Sequence, residues 1–222
     1  MQEPEENRLN APDAMQLAGL PEGAIRQLAA HGQLRAYRKN AVVIHEGEAG
    51  DSLYVILSGR VKIFVADGGG REMILDTLGP GNVIGEMTLD GGPRSASVIC
   101  TEAATFSMLT QAVLREAVVA NPDFAMQLIA TLICRMRQAT DLVKGLALLD
   151  VYGRVAGLLL KLAVEQDGRL VIPERLTQQD IADRVGASRD MVNRIFKELT
   201  AGGYLSVENR QIVLNRKPPA RW

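Results

Sequence analysis

The apolar positions of this chain change period twice. Up to about residue 30 they recur at helical spacing: Leu17, Leu20, Ile25 and Leu28 share one face, and Pro21 starts a second short helix, behind a polar, proline-bearing arm over residues 1–14. From Leu34 the period shortens. Runs rich in Val, Ile and aromatics predict strands over 41–45, 53–57, 60–66, 73–78, 96–101 and 104–109, divided by the turns GEAGD, LSGR, ADGGGR and LGPGN. Glycines sit in those turns because sharp reversals need positive φ. Six or more strands at this spacing predict a compact barrel or sandwich. Over 122–149 the helical period returns, with Ile129, Leu132, Met136, Ala139, Val143 and Leu146 alternating three and four apart. Such a stripe suits a two-stranded coiled-coil seam and hence a symmetric homodimer, and equally a helix packed on its own β domain.

Residues 176–199, LTQQDIADRVGASRDMVNRIFKEL, predict two helices joined by a tight turn. Thr177 and Asp180 form a capping pair, Ile181, Ala182 and Val185 an apolar stripe, Gly186 the left-handed corner and Ser188 the next cap. In the second helix Val192, Ile195, Phe196 and Leu199 face inward, which leaves Arg189, Asp190, Asn193 and Arg194 on the outer side. A solvated amphipathic helix would show the same face. Capping, corner glycine and paired arginines together favour a helix-turn-helix reading the major groove, where a guanidinium bonds guanine and a carboxylate accepts from a cytosine amine. Beyond Gly202 and Gly203, residues 204–207 and 211–214 predict a hairpin wing.

Composition narrows the class. The 222 residues are 47% hydrophobic with a formal charge of -1, enough to bury one or two cores, and no apolar run reaches the roughly 20 residues of a membrane helix. The first 20 residues lack the basic start and apolar core of an export signal, so a cytoplasmic protein without a membrane partner is expected. Cys100 and Cys134 lie among apolar neighbours and read as buried free thiols, and His31 and His45 have no third ligand at metal spacing. Neither HExxH nor GxSxG occurs, so no catalytic residue and no metal site is expected. The charge is unevenly spread: residues 1–150 hold 13 Lys or Arg against 18 Asp or Glu, and residues 151–222 hold 12 against 8. The basic excess lies with the helix-turn-helix, where Lys197 and Arg184 are candidates for phosphate contacts.

One loop carries small-molecule chemistry. Over 81–98, GNVIGEMTLDGGPRSASV, Gly85 and Glu86 precede a short apolar turn at Met87 whose amides favour an anion, and Arg94 and Ser95 follow a Gly-Gly-Pro bend. A guanidinium grips phosphate through two parallel hydrogen bonds, a serine hydroxyl adds a third, and Glu86 can accept from a ribose hydroxyl. Taken alone, the same residues could be a Glu86–Arg94 surface ion pair on a hairpin.

Gly85-Glu86, then Arg94-Ser95-Ala96, then GLALLDVYGRVAGLLLKLA (145–163) and VGASRDMVNRI (185–195) together resemble the CRP/FNR family over nearly the whole chain. The resemblance implies an α+β protein: an arm and the start of the first helix over 1–20, a cyclic-nucleotide-binding β-roll over 21–121, a long dimerisation helix over 122–149 and a winged helix-turn-helix over 150–222. Asp150 resembles the family's hinge residue, capping the next helix. Gly85, Glu86, Met87, Arg94 and Ser95 would hold ribose and cyclic phosphate, with Ala139 and Thr140 at the base. Relatives that respond to cAMP carry Thr-Ser there, so the missing hydroxyl opens cGMP or cyclic di-GMP as effector. Thr177, Gln178, Ser188, Arg189, Asp190, Asn193, Arg194 and Lys197 would meet DNA, with aspartate where the family's base-reading trio has glutamate. The implied function is a ligand-gated transcription factor, not an enzyme, with an effector rather than a cofactor and RNA polymerase as a further partner. Rivals are a ligand-independent repressor, an iron-sulfur or haem sensor, disfavoured because oxygen-sensing relatives of that kind carry a cysteine cluster, and an enzyme's regulatory subunit, which would not need 176–214.

Overall fold

The computed structural model describes residues 31–120, 122–166 and 168–219. The expected arm and first helices, before residue 31, lie outside the described residues. The chain forms two compact units, one from Met1–Val61, Leu78–Ser95 and Ile99–Arg137, the other from Lys62–Thr77, Ala96–Val98 and Gln138–Trp222.

In the first unit, β1 (Gln33–Tyr37), β3 (Ser52–Ser58), β6 (Val83–Ile84) and β8 (Ala104–Thr110) make a four-stranded sheet in the order β1-β8-β3-β6. β8 is antiparallel to both neighbours, with Arg35 and Ile56 each opposite Phe106. Leu53, Val55, Val83 and Leu109 are buried together with Leu114 of the helix α1 (Gln111–Ala120). Each such side chain contributes about 1.5 to 3 kcal/mol by leaving water. Phe106 is wholly buried and meets Tyr37 and Tyr54 edge-on, with ring centroids 5.6 and 6.1 Å apart. A further sheet has the order β2-β7-β4-β5, from Val42–Ile44, Ser97–Cys100, Val61–Ala66 and Glu72–Leu78. The six strands expected from sequence are all present; β1 and β6 are additional.

The helix α2 spans Pro122–Leu148, as its period predicts. Its apolar row stays open to solvent: Met136 is 72% exposed, Val143 63% and Ile129 47%.

The C-terminal unit is built on α3 (Val151–Leu162), α4 (Gln178–Val185) and α5 (Arg189–Ala201), with a sheet of order β11-β12-β10-β9 from Leu205–Glu208, Gln211–Leu214, Arg169–Val171 and Val164–Gln166. Tyr152, Val155 and Leu159 of α3 share one core with Ile181 and Val185 of α4, with Val192, Ile195, Phe196 and Leu199 of α5, and with Leu205, Ile212 and Leu214 of the hairpin. The four α5 residues expected inside are those buried. β9 and β10, three residues each, extend the wing and escape a reading by periodicity.

Cys100 is buried and free, and burial pushes its thiol pKa up. Cys134 departs from expectation: it is only half-buried, because it sits on α2 where the helix borders its exposed row. Among the described residues no group of three or more His, Cys, Asp or Glu could hold a metal ion, and no single helix is long and apolar enough to cross a membrane.

Candidate functional site

Two places carry unused or rearrangeable polar chemistry, one in each unit. In the first, Val83-Ile84 ends the sheet, Gly85 turns the chain at φ +81, and Glu86 opens a 3-10 helix over Glu86–Asp90. Met87 projects into solvent, 57% exposed. The chain returns through Gly91, Gly92 and Pro93 to Arg94, whose backbone is fixed on both sides: Arg94 N donates to Glu48 O at 2.9 Å and Arg94 O accepts from Gly47 N at 2.8 Å. Arg94 is 7% exposed and its guanidinium turns inward, donating to Gly85 O at 2.9 Å and Ser52 O at 2.7 Å. A Cβ on Gly50 or Gly85 would collide with that guanidinium, so two glycines make its cradle. Ser95 is exposed beside it. An open cleft of about 590 Å³ adjoins, lined by small residues such as Gly50, Gly91 and Gly92 together with Asp51.

The surface ion pair between Glu86 and Arg94 is not what forms. Glu86, 9% exposed, pairs instead with Arg135 of α2 at 2.7 Å, and Arg135 also donates to Val83 O at 2.6 Å. A buried carboxylate needs a charge partner close by, and the helix supplies a nearer one than the loop. Sequence reasoning missed Arg135; the one signal available was a cation at position i−4 from Ala139, hence on the same helix face. Ala139 and Thr140 lie on exposed turns of α2.

The second place is the α4–α5 pair. Thr177 Oγ1 accepts from Asp180 N at 3.1 Å while Asp180 Oδ2 accepts from Thr177 N at 2.7 Å, a reciprocal capping box. Gly186 is left-handed at φ 63, and Ser188 caps α5 by accepting from Met191 N at 3.2 Å. Arg154 of α3 fastens the corner from behind, donating to Val185 O at 2.8 Å and Leu149 O at 2.9 Å. Met73 of β5 and Leu146 of α2 come to van der Waals distance of where a Gly186 Cβ would stand. Asp150 caps α3 by accepting from Gly153 N at 2.7 Å, the cap expected from sequence.

On this frame Arg189, Asp190, Arg194 and Lys197 are exposed on one side of α5, whereas Asn193 is half-buried and accepts from Gln178 Nε2 at 3.4 Å. Arg184 departs from its expected role as a phosphate contact: its Nη2 pairs with Glu174 at 2.7 Å, and its side chain is 16% exposed. Position i+4 from Asp180 turns it toward the Glu174 loop rather than outward.

Residues 34–121 match the cyclic nucleotide-binding domain family, and residues 153–218 match the Crp-like helix-turn-helix domain family. A CRP-like cAMP-activated global transcriptional regulator of Mycobacterium tuberculosis is 36% identical over 203 residues, covering 89% of this chain and 90% of the relative. The cAMP-activated global transcriptional regulator CRP of Escherichia coli is 35% identical over 190 residues, covering 83% and 90%. Among solved structures, the c-di-GMP-responsive global regulator CLP of Xanthomonas campestris shares 28% identity at a TM-score of 0.74, covering 86% of this chain and 98% of that one.

Proposed function

The chain belongs to the CRP/FNR family of ligand-responsive transcription regulators, and we propose that it acts as a homodimer that binds a cyclic nucleotide and then a palindromic DNA site. The sensor is residues 21–121, the dimerisation helix 122–149 and the reader 150–222. The observation that carries the reading is the pairing of Glu86 with Arg135 beside Arg94: an anion-gripping guanidinium and a ribose-type acceptor, both buried, both holding partners that a ligand could replace. Gly85, Met87 and Ser95 complete the ribose and phosphate side, and Ala139 and Thr140 the base side. The exposed apolar row of α2 supports the second copy, because so long a row is rarely left to water.

Ligand shifts a pre-existing equilibrium toward the arrangement that sets both recognition helices one DNA turn apart. Arg189, Asp190 and Arg194 then read TGTGA-like inverted half-sites, with Thr177, Gln178, Ser188, Asn193 and Lys197 completing the contact. The regulator works in the cytoplasm and acts on RNA polymerase. The names of the cAMP-activated relatives favour cAMP. Cyclic di-GMP is the second reading, supported by the responsive Xanthomonas regulator and by Ala139, which offers a base no hydroxyl.

Calorimetric titration of nucleotide-free protein with cAMP, cGMP and cyclic di-GMP separates these, with Arg94→Ala as the control, followed by DNA anisotropy with and without the ligand that binds. Binding of cAMP at micromolar affinity or better, lost in the variant and raising DNA affinity, is expected. Heat from cyclic di-GMP alone would reassign the effector. Ligand binding without any change in DNA affinity would overturn the gated mechanism.

A further inference from the structure

One guanidinium ties the ends of two other helices together. Arg154 stands in the first turn of α3, where a cation faces the positive end of its own helix and gains nothing from it. Its donors are used elsewhere. Nη1 donates to Leu149 O at 2.9 Å, at the C-terminal end of α2. Nε donates to Val185 O at 2.8 Å and Nη2 to Gly186 O at 3.5 Å, both at the C-terminal end of α4. The last carbonyls of a helix have no partner within it and carry the negative end of its dipole. Two such ends meet one planar fork of donors, a match that the single point of charge on a lysine cannot make.

The two ends lead to different parts of the proposed regulator. α2 is one unbroken helix that carries Arg135, the partner of Glu86, and ends beside Arg154 about four turns further on. α4 ends in the left-handed corner at Gly186, and Ser188, two residues later, caps α5. Arg154 therefore fixes the start of the recognition helix against the end of the helix that comes from the sensor. A second contact runs alongside: Leu146 Cδ2, in the last turn of α2, lies 3.4 Å from where a Gly186 Cβ would stand. That contact is apolar and without direction, whereas hydrogen bonds from a rigid fork hold an orientation.

We infer that Arg154 is a positioning residue that carries the ligand state of the sensor to α5. The inference rests on the ligand-gated reading above and names a residue through which the gating acts. A displacement at the end of α2 moves Leu149 O, and the fork takes the corner and α5 with it. Without the fork the reader keeps its fold and loses its bearing on α2. Arg154 belongs to neither proposed contact surface, so its loss changes the coupling between the two sites rather than the groups that bind.

The test is Arg154→Met in the full chain, which keeps the length of the side chain and removes the fork. Anisotropy of a duplex with TGTGA-like inverted half-sites, with and without saturating cAMP or, where titration reassigns the effector, cyclic di-GMP, gives the ligand-induced gain in DNA affinity. That gain should shrink by about fivefold or more, the low end of ordinary allosteric coupling. Coupling is reciprocal, so the same duplex should raise nucleotide affinity in wild type and fail to do so in the variant. Arg154→Lys keeps the charge but reaches one helix end at a time, so it should recover part of the gain, and it carries the test if the methionine variant does not fold. A wild-type gain in Arg154→Met, or in Arg154→Lys where only that variant folds, would make Arg154 a purely structural tie and overturn the inference, whatever the melting temperature does. Equal loss of DNA affinity with and without nucleotide would overturn it too, because the gain is then intact. If nucleotide leaves the DNA affinity of the wild type unchanged, the gated reading itself fails and takes the inference with it, which is a different result.

Discussion

Arg94 and Arg189 are both proposed to meet phosphate or base, yet they wait for it in opposite ways. Arg94 is 7% exposed and committed to two backbone carbonyls, with Glu86 and Arg135 paired alongside. Arg189 stands in solvent on the first turn of α5, with its frame, not its guanidinium, held by the fold. On the proposed reading, the sensor would have to exchange partners, so that binding there would disturb bonds that hold the protein together. The reader would only add partners, so that binding there would leave the fold unchanged. Gating requires the first kind and reversible salt-sensitive scanning of DNA suits the second.

The contrast is sharpest at Arg135. Removing one member of a buried ion pair strands the other charge away from water, a cost of about 3 kcal/mol. Arg135→Met should therefore lower the unfolding free energy by about that amount in urea, and the double variant with Glu86→Gln should recover part of it. A loss below about 1 kcal/mol would place this pair with ordinary surface ion pairs, and the comparison would collapse.

Arg194→Ala tests the other side. An exposed guanidinium contributes little to the fold, so stability should hold within about 0.5 kcal/mol. Discrimination between operator and a duplex with the contacted guanine changed should shrink by about 1 to 3 kcal/mol in competition anisotropy. Unfolding of the variant would mean that the reader, too, is built from structural charges.

Ser188→Ala lies between the two. Its hydroxyl accepts from Met191 N, so the substitution leaves a helix-end amide without its cap, and about 1 kcal/mol of stability should go. Because the cap also sets where Arg189 begins the helix, DNA affinity should fall in parallel without a change in nucleotide affinity. A fall in nucleotide affinity would show that the cap is felt by the sensor.

What was legible in the sequence follows from range. Thr177 with Asp180, Gly186, Ser188 and Asp150 are local devices: a cap acts three residues away, and a corner acts at one φ, so the letters suffice. The buried stripe of α5 was legible for the same reason. The sensor was legible only as a list of groups. Which carboxylate meets which guanidinium depends on α2 approaching a loop 52 residues away, between Val83 and Arg135, and no periodicity reports that. Arg154, fastening Val185 O from 31 residues away, was hidden likewise. β6, β9 and β10 run two or three residues each, too short to show a period of two. Arg184 misled because a basic residue on a basic domain looks free until its neighbour Glu174 is placed.

The smallest effect separates the two kinds of charge by their response to solvent. Hydrogen bonds from the Arg169 side chain, then from Ser206, hold the Glu208 carboxyl below its ordinary value of 4.5. A carboxylate depressed on folding contributes stability that is present above its unfolded value and is lost as pH falls through the lower folded one. Wild type should therefore lose slightly more melting temperature than Glu208→Gln as pH falls from 6 to 3. Glu208 is about half exposed, so 0.5 M salt should erase most of that difference by screening. The same salt should leave the Arg135→Met deficit nearly intact, because Glu86 is shielded from ions by the protein around it. If salt removed both effects equally, the sensor pair would be as open to solvent as the wing, and its proposed exchange with ligand would have nothing buried to exchange.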